Sequence, residues 1–168
     1  SCSVKNLNVN SNDVVGLFSG RSDMENVIIG DNVTRISNSA FTYCSSLSSC
    51  TIGSGVTSIG NDAFNGCSSL TSIDIPDSVT SIGNYTFEGC SSLTSITISD
   101  SVTNIGSGMC SGCTSLANCV IGDNIVRISN SAFTNCNSLT SVTIGSGVTS
   151  IGDSAFDHCT SLTSIVII

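Results

Sequence analysis

The chain has 168 residues, of which 10% are charged and 39% hydrophobic, and a net charge of −8 at pH 7. Its four cations, Lys5, Arg21, Arg35 and Arg127, are scattered, whereas neutralising a phosphate backbone needs a clustered basic surface, so nucleic acid is excluded as a partner. The longest apolar runs, such as Ile165-Val166-Ile167-Ile168, are far short of the roughly 20 residues that span a bilayer, which argues against membrane insertion.

The chain starts at Ser1 with no basic-then-apolar leader, so a processed product or a piece of a longer polypeptide is expected. Residues 1–28 read as a degenerate N-terminal coil or cap. Their inward slots carry Asn10, Asp13, Arg21 and Met24, where later copies carry Val, Ile, Cys and Leu. Cys2 has no counterpart in those copies and is free to cross-link to another chain.

From Ile29 the pattern becomes periodic. Cys44, Cys67, Cys90, Cys113, Cys136 and Cys159 stand 23 residues apart, and six units open at Ile29, Ile52, Ile75, Ile98, Ile121 and Ile144. A fixed period of this length predicts a repeat solenoid of leucine-rich coils over residues 29–168, about seven coils with the first included, in a single domain. In Leu93-x-x-Ile96-x-Ile98 the isoleucines alternate inward while Ser95 and Thr97 point out, as a strand requires. Stacked coils bury their flat ends and pair these strands into a parallel sheet. A longer period is present too: "IGDNVTRISNSAFTYCSSL" from Ile29 returns as "IGDNIVRISNSAFTNCNSL" from Ile121, the mark of a duplicated four-coil block.

The recurring pattern "IPDSVTSIGNYTFEGCSSLTSI" resembles the BspA-like class of leucine-rich repeats, and the resemblance covers the chain after about residue 28. It implies a cell-surface or secreted protein, in a family many of whose members are suspected of adhesion. It also implies a short second strand at "VTSI" and a short helical turn at "AFxxC". No cofactor is implied.

The cysteine ladder predicts packing rather than cross-linking. Equivalent residues of adjacent coils point the same way at about the 4.8 Å strand spacing, whereas a disulfide needs Cβ atoms nearer about 3.8 Å and turned together. Cys50 and Cys119 fall in inward strand slots and join the core. Cys110 stands where Phe64, Phe87 and Phe133 stand and creates Cys110-Ser-Gly-Cys113; the favoured reading is a core ring replaced by a small residue, with Met109 taking some of its volume, and of the alternatives a local disulfide is preferred to half a metal site.

Outward residues Ser72, Ser95, Thr97, Ser141 and Thr143 are the candidate binding face. Asn32-Val-Thr34 and Asn84-Tyr-Thr86 fit the glycosylation sequon, so attached glycans at Asn32 and Asn84 are candidates. Asp77, Asp100 and Asp123 repeat at one position and are expected to cap their own turns rather than hold Ca²⁺. The lone His158 lacks a base–orienter arrangement, and no metal set is visible, so no enzyme is expected. The sequence ends on "TSIVII", an apolar end that either a continuation of the chain or another molecule covers; in the second case Ile167 and Ile168 are the candidates for end-to-end self-association. Fibre or array building through that end is the first functional expectation. An adhesin-like module binding a host or matrix protein is the second.

Overall fold

The structure, a computed structural model, describes residues 6–9, 13–14 and 18–168. Cys2 and Asn10 lie outside the described residues, as does the side chain of Asp13. The described chain is a parallel solenoid in which each coil contributes a main strand and a two-residue second strand. In order these are β1 (Asn6–Val9) and β2 (Asp13–Val14), β3 (Asn26–Ile29) and β4 (Arg35–Ile36), β5 (Ser49–Ile52) and β6 (Ser58–Ile59), then β7 (Ser72–Ile73) and β8 (Ser81–Ile82). There follow β9 (Ser95–Ile98) and β10 (Asn104–Ile105), β11 (Asn118–Ile121) and β12 (Arg127–Ile128), β13 (Ser141–Ile144) and β14 (Ser150–Ile151), and finally β15 (Ser164–Ile167).

Main strands pair in 23-residue register, Asn118 opposite Ser141 and Ile121 opposite Ile144, so each rung repeats the orientation of the last. The alternation read from the sequence holds: in β9 Ile96 and Ile98 are buried while Ser95 and Thr97 are exposed. The core runs the length of the stack. Phe18, Phe41, Phe64 and Phe87 lie face to face with centroids 5.3–5.7 Å apart, and Phe133 stacks on Phe156 at 5.4 Å. Cys110 interrupts this column, and Met109 beside it is fully buried where Ala40, Ala63 and Ala132 stand in other coils. Each stacked pair contributes about 0.5–1.5 kcal/mol beyond its buried area.

The third side of each coil corrects an expectation. The "AFxxC" segments form hydrogen-bonded turns, and no helix occurs among the described residues. The reason lies in where the amides go. Ser39, Phe41 and Tyr43 donate their N–H groups to the carbonyls of Asn61, Ala63 and Asn65 on the next coil, and this triple bond repeats down the stack. Only the alternate amides bond locally, as Ala40 does to Ser37 and Cys44 to Phe41, leaving too few donors for an i→i−4 ladder. Two residues per coil also take the left-handed conformation, Tyr85 (φ 54°) and Gly89 (φ 69°) in one example, which ends any helical run.

The two strand sheets are each broken once. Main strands divide into β1-β3-β5-β7 and β9-β11-β13-β15, and second strands into β2-β4-β6-β8-β10 and β12-β14. Both breaks fall at corners that lack glycine. A Cβ on Gly53 or Gly145 would lie 2.6 Å from the backbone of the preceding corner, Gly30 or Gly122, so rungs close to ladder spacing only with glycine there. Pro76 and Ser99 occupy that corner in the two middle coils. β7 is accordingly cut to two residues, and the bridge between β7 and β9 is lost. The second corner has Gly60, Gly83, Gly106 and Gly152, with Ser37 and Ser129 in the remaining coils; β4 still pairs with β2 beside Ser37, whereas the sheet parts at Ser129. There Ser129 Oγ takes the Ile105 carbonyl at 2.7 Å, in place of the backbone N–H that Gly106 gives to Ile82.

Candidate functional site

Described thiols are buried and free, apart from the half-buried Cys159 at the last coil. The ladder thiols do more than pack. Cys67 Sγ donates to the Phe41 carbonyl (3.1 Å), Cys90 to Phe64 (3.3 Å), Cys113 to Phe87 (3.1 Å) and Cys136 to Cys110 (3.2 Å). Each thus gives a second hydrogen bond to a carbonyl 26 residues back that already accepts the amide three residues after it. Burial holds the thiols in their neutral form: Cys50 is pushed up to about 12, and desolvation also raises Cys67, Cys90, Cys119 and Cys136. Cys110, for which a local disulfide to Cys113 is the alternative to core packing, is a free buried thiol held protonated by its hydrogen bond with Cys113 and by burial. Such thiols are poor nucleophiles and poor metal ligands.

The aspartates correct a second expectation. Asp31, Asp100 and Asp123 cap the next coil rather than their own, accepting from the N–H of Ser54, Asp123 and Ser146 at 2.8 Å. Asn38, Asn61, Asn84 and Asn130 form a matching ladder along the second corner. Asn84 is therefore structural through its Oδ1, and the sequon's Thr86 is fully buried, with its hydroxyl 2.8 Å from the Gly83 carbonyl. Asn32 and Thr34 are both exposed. His158 sits on the surface in a left-handed conformation (φ 57°), its Nδ1 3.1 Å from Asp157, in the slot that Gly66 and Gly89 occupy elsewhere. Sequence reasoning does not reach these caps or thiol bonds, because their partners are 23 to 26 residues away.

Of the candidate face, Ser72, Ser95 and Thr97 are exposed, while Ser141 and Thr143 are half-buried, with Ser141 Oγ donating to Asn118 at 2.9 Å. The structure brings the first three together. They line the fissure left between β7 and β9, a cavity of about 270 Å³ walled also by Ile73, Asp74, Ile75, Asp77 and Ser99. Ile75 is only half-buried here, while its equivalents Ile98 and Ile121 are closed off. Pro76, the chain's single proline, was the available signal in the sequence. At the far end Ile165 (48% exposed), Ile167 (70%) and Ile168 (65%) lie open beside Ile151 (51%). No helix of the described residues is long and apolar enough to cross a membrane.

The solenoid is shared with solved leucine-rich repeat proteins. The leucine-rich repeat protein of T. pallidum superposes with a TM-score of 0.80 at 25% identity, over 95% of this chain and 72% of that one. One from Bacteroides ovatus gives 0.59 at 22% identity, over 89% of this chain and 62% of that one. The pneumococcal vaccine antigen PcpA gives 0.66 at 22% identity, over 84% of this chain and 41% of that one. No curated protein matches the chain by sequence. The profile of the BspA type leucine-rich repeat region matches residues 15–139 and 110–168 in 6 copies. The unbroken 23-residue coils and this match, which together run from residue 15 to residue 168, place the chain in the BspA-type leucine-rich repeat family.

Proposed function

We propose that the chain is a non-catalytic scaffold module of the cell surface or extracellular space, acting by protein contact, with end-to-end association of copies across the β15 edge as its main interaction. The supporting observation is the β15 face of these coils: β15 pairs with β13, and Ile165, Ile167 and Ile168 are exposed where Ile96 and Ile98 of β9 are buried, a face that a further coil of a longer polypeptide or another copy covers. These side chains are already partly covered, so burying the remainder of each is worth about 1–2 kcal/mol, and an unprotected strand edge favours further pairing. Residues 1–28 serve in this reading as the opposing end coil, with residues 29–168 as the repeat array. The surface assignment is supported by family membership. A glycan at Asn32 fits the same setting, and intact mass before and after endoglycosidase tests it. Sedimentation velocity across a concentration series tests the association: the native chain forms growing oligomers, and Ile167→Asp with Ile168→Asp remains monomeric. A native chain that stays monomeric throughout removes this reading.

A second reading is favoured by the fissure: an adhesin-like module that contacts a host or matrix protein through the main-sheet face. Beads coated with the chain then adhere to matrix-coated surfaces, and Ser95→Lys with Thr97→Lys abolishes adhesion while oligomerisation is unchanged. Equal adhesion by that variant removes the second reading.

A further inference from the structure

We propose that the fissure between β7 and β9 receives an arginine side chain presented by a partner protein. The inference rests on the second reading above, that the main-sheet face is a contact surface, and names the chemistry of what it contacts.

Size sets the first constraint. A cavity of about 270 Å³ falls just below the range of about 300–1,000 Å³ typical of small-molecule pockets, and suits one long side chain. Its polarity sets the second. The floor is Ile73, 6% exposed, and half-buried Ile75, an apolar track for an aliphatic stem. Around it stand two exposed carboxylates, Asp74 and Asp77, and the hydroxyls of Ser72, Ser95, Thr97 and Ser99. A guanidinium offers five donors in a planar fork, and a mixed wall of carboxylate and hydroxyl acceptors matches it better than a strongly hydrated ammonium.

Among the described residues no cation of the chain is placed at this wall. Arg21 pairs with Asp23, Arg127 reaches Asn130 at the second corner, and Arg35 belongs to β4. Asp77, at the fissure, also lacks the next-coil cap that Asp31, Asp100 and Asp123 make. A divalent ion is a poorer fit: no group of three or more His, Cys, Asp or Glu gathers among the described residues, whereas Ca²⁺ takes about 6–8 oxygen ligands. The sequence concentrates the features in one place. Asp74 replaces Thr51, Thr97, Val120 and Thr143, and it does so in the coil whose corner carries Pro76.

The test is an amide-shift titration of the full chain with the peptide acetyl-Gly-Arg-Gly-amide. Parallel titrations use the lysine and citrulline peptides and calcium chloride. The arginine peptide is expected to shift Asp74, Ser95 and Thr97 saturably, the lysine peptide to bind more weakly and citrulline to give no shift. Asp74→Asn with Asp77→Asn, isosteric and on the surface, loses the response, as does Pro76→Gly with Ser99→Gly, which closes the cleft. Equal shifts with citrulline, shifts retained in the asparagine variant, or a response to calcium alone overturn the proposal. Bead adhesion of the native chain separates the two readings: adhesion without an arginine response overturns the arginine pocket alone, and absent adhesion overturns the contact face.

Discussion

The turn side and the strand side of this solenoid are built from the same 23-residue unit, yet only the turn side is continuous. From Ser39 onward every coil gives three amides to the next across the turns, through Asn135 to Asp157. On the strand side the main sheet parts between β7 and β9, and the second sheet between β10 and β12. The turn side tolerates Phe→Cys at position 110 without losing a single inter-coil bond, since Cys110 N–H still meets the Ala132 carbonyl. The strand side parts only where Pro76, Ser99 and Ser129 bring a Cβ to a corner, although the corner at Ser37 stays paired. Backbone hydrogen bonds made through a wide turn absorb side-chain change, whereas corners at backbone contact distance do not.

The largest test strikes the continuous side. Phe87→Ala leaves a cavity beside Phe64 and is expected to cost about 3–5 kcal/mol in denaturant unfolding. Alkali comes next. Burial raises the folded-state pKa of Cys50 from 9.0 to about 12. The unfolded chain therefore ionises first, so this stability is complete below pH 9 and is lost as pH rises towards 12. The slope is about 1.4 kcal/mol per pH unit for one such thiol, and Cys50→Val removes one thiol's share of the slope in pH-dependent unfolding.

Gly145→Ala carries the lesion to an intact corner. Its Cβ would stand 2.6 Å from Gly122 C and O, so a loss of about 1–3 kcal/mol and faster amide exchange over Ser141–Ile144 are expected. The reverse experiment, Pro76→Gly with Ser99→Gly, lets β7 and β9 pair. Its stability change stays within about 1 kcal/mol, since a regained hydrogen bond offsets glycine's entropy cost, and slowed exchange in Ser95–Ile98 is the readout. The smallest effect is His158→Gly, which relieves a left-handed backbone (φ 57°). A gain below about 1 kcal/mol is expected in melting experiments.

Much of the architecture is readable in the linear chain because its signals are local and repeated. The spacing of Cys44 through Cys159 gives the coil length, and the alternation of Ile96 and Ile98 with Ser95 and Thr97 gives the strand faces. The turn at "AFxxC" is misread as helical because its amides go to the next coil, beyond any local pattern. The candidate face is half legible. Ser72, Ser95 and Thr97 stand out as outward residues, but nothing in their spacing says that they share a cleft with Asp74 and Asp77.

Composition and period alone determine that this chain stacks coils, hides its thiols and turns its hydroxyls outward, since each coil can bury its apolar edges only against a neighbour of matching shape. Tertiary structure decides what those residues do at contact distance. Cysteines become donors to buried carbonyls, aspartates cap the coil that follows, and two non-glycine corners open a cleft in the main sheet. The reason is one of range: the partners lie a full coil away, and a few tenths of a nanometre at a corner decide whether two rungs touch.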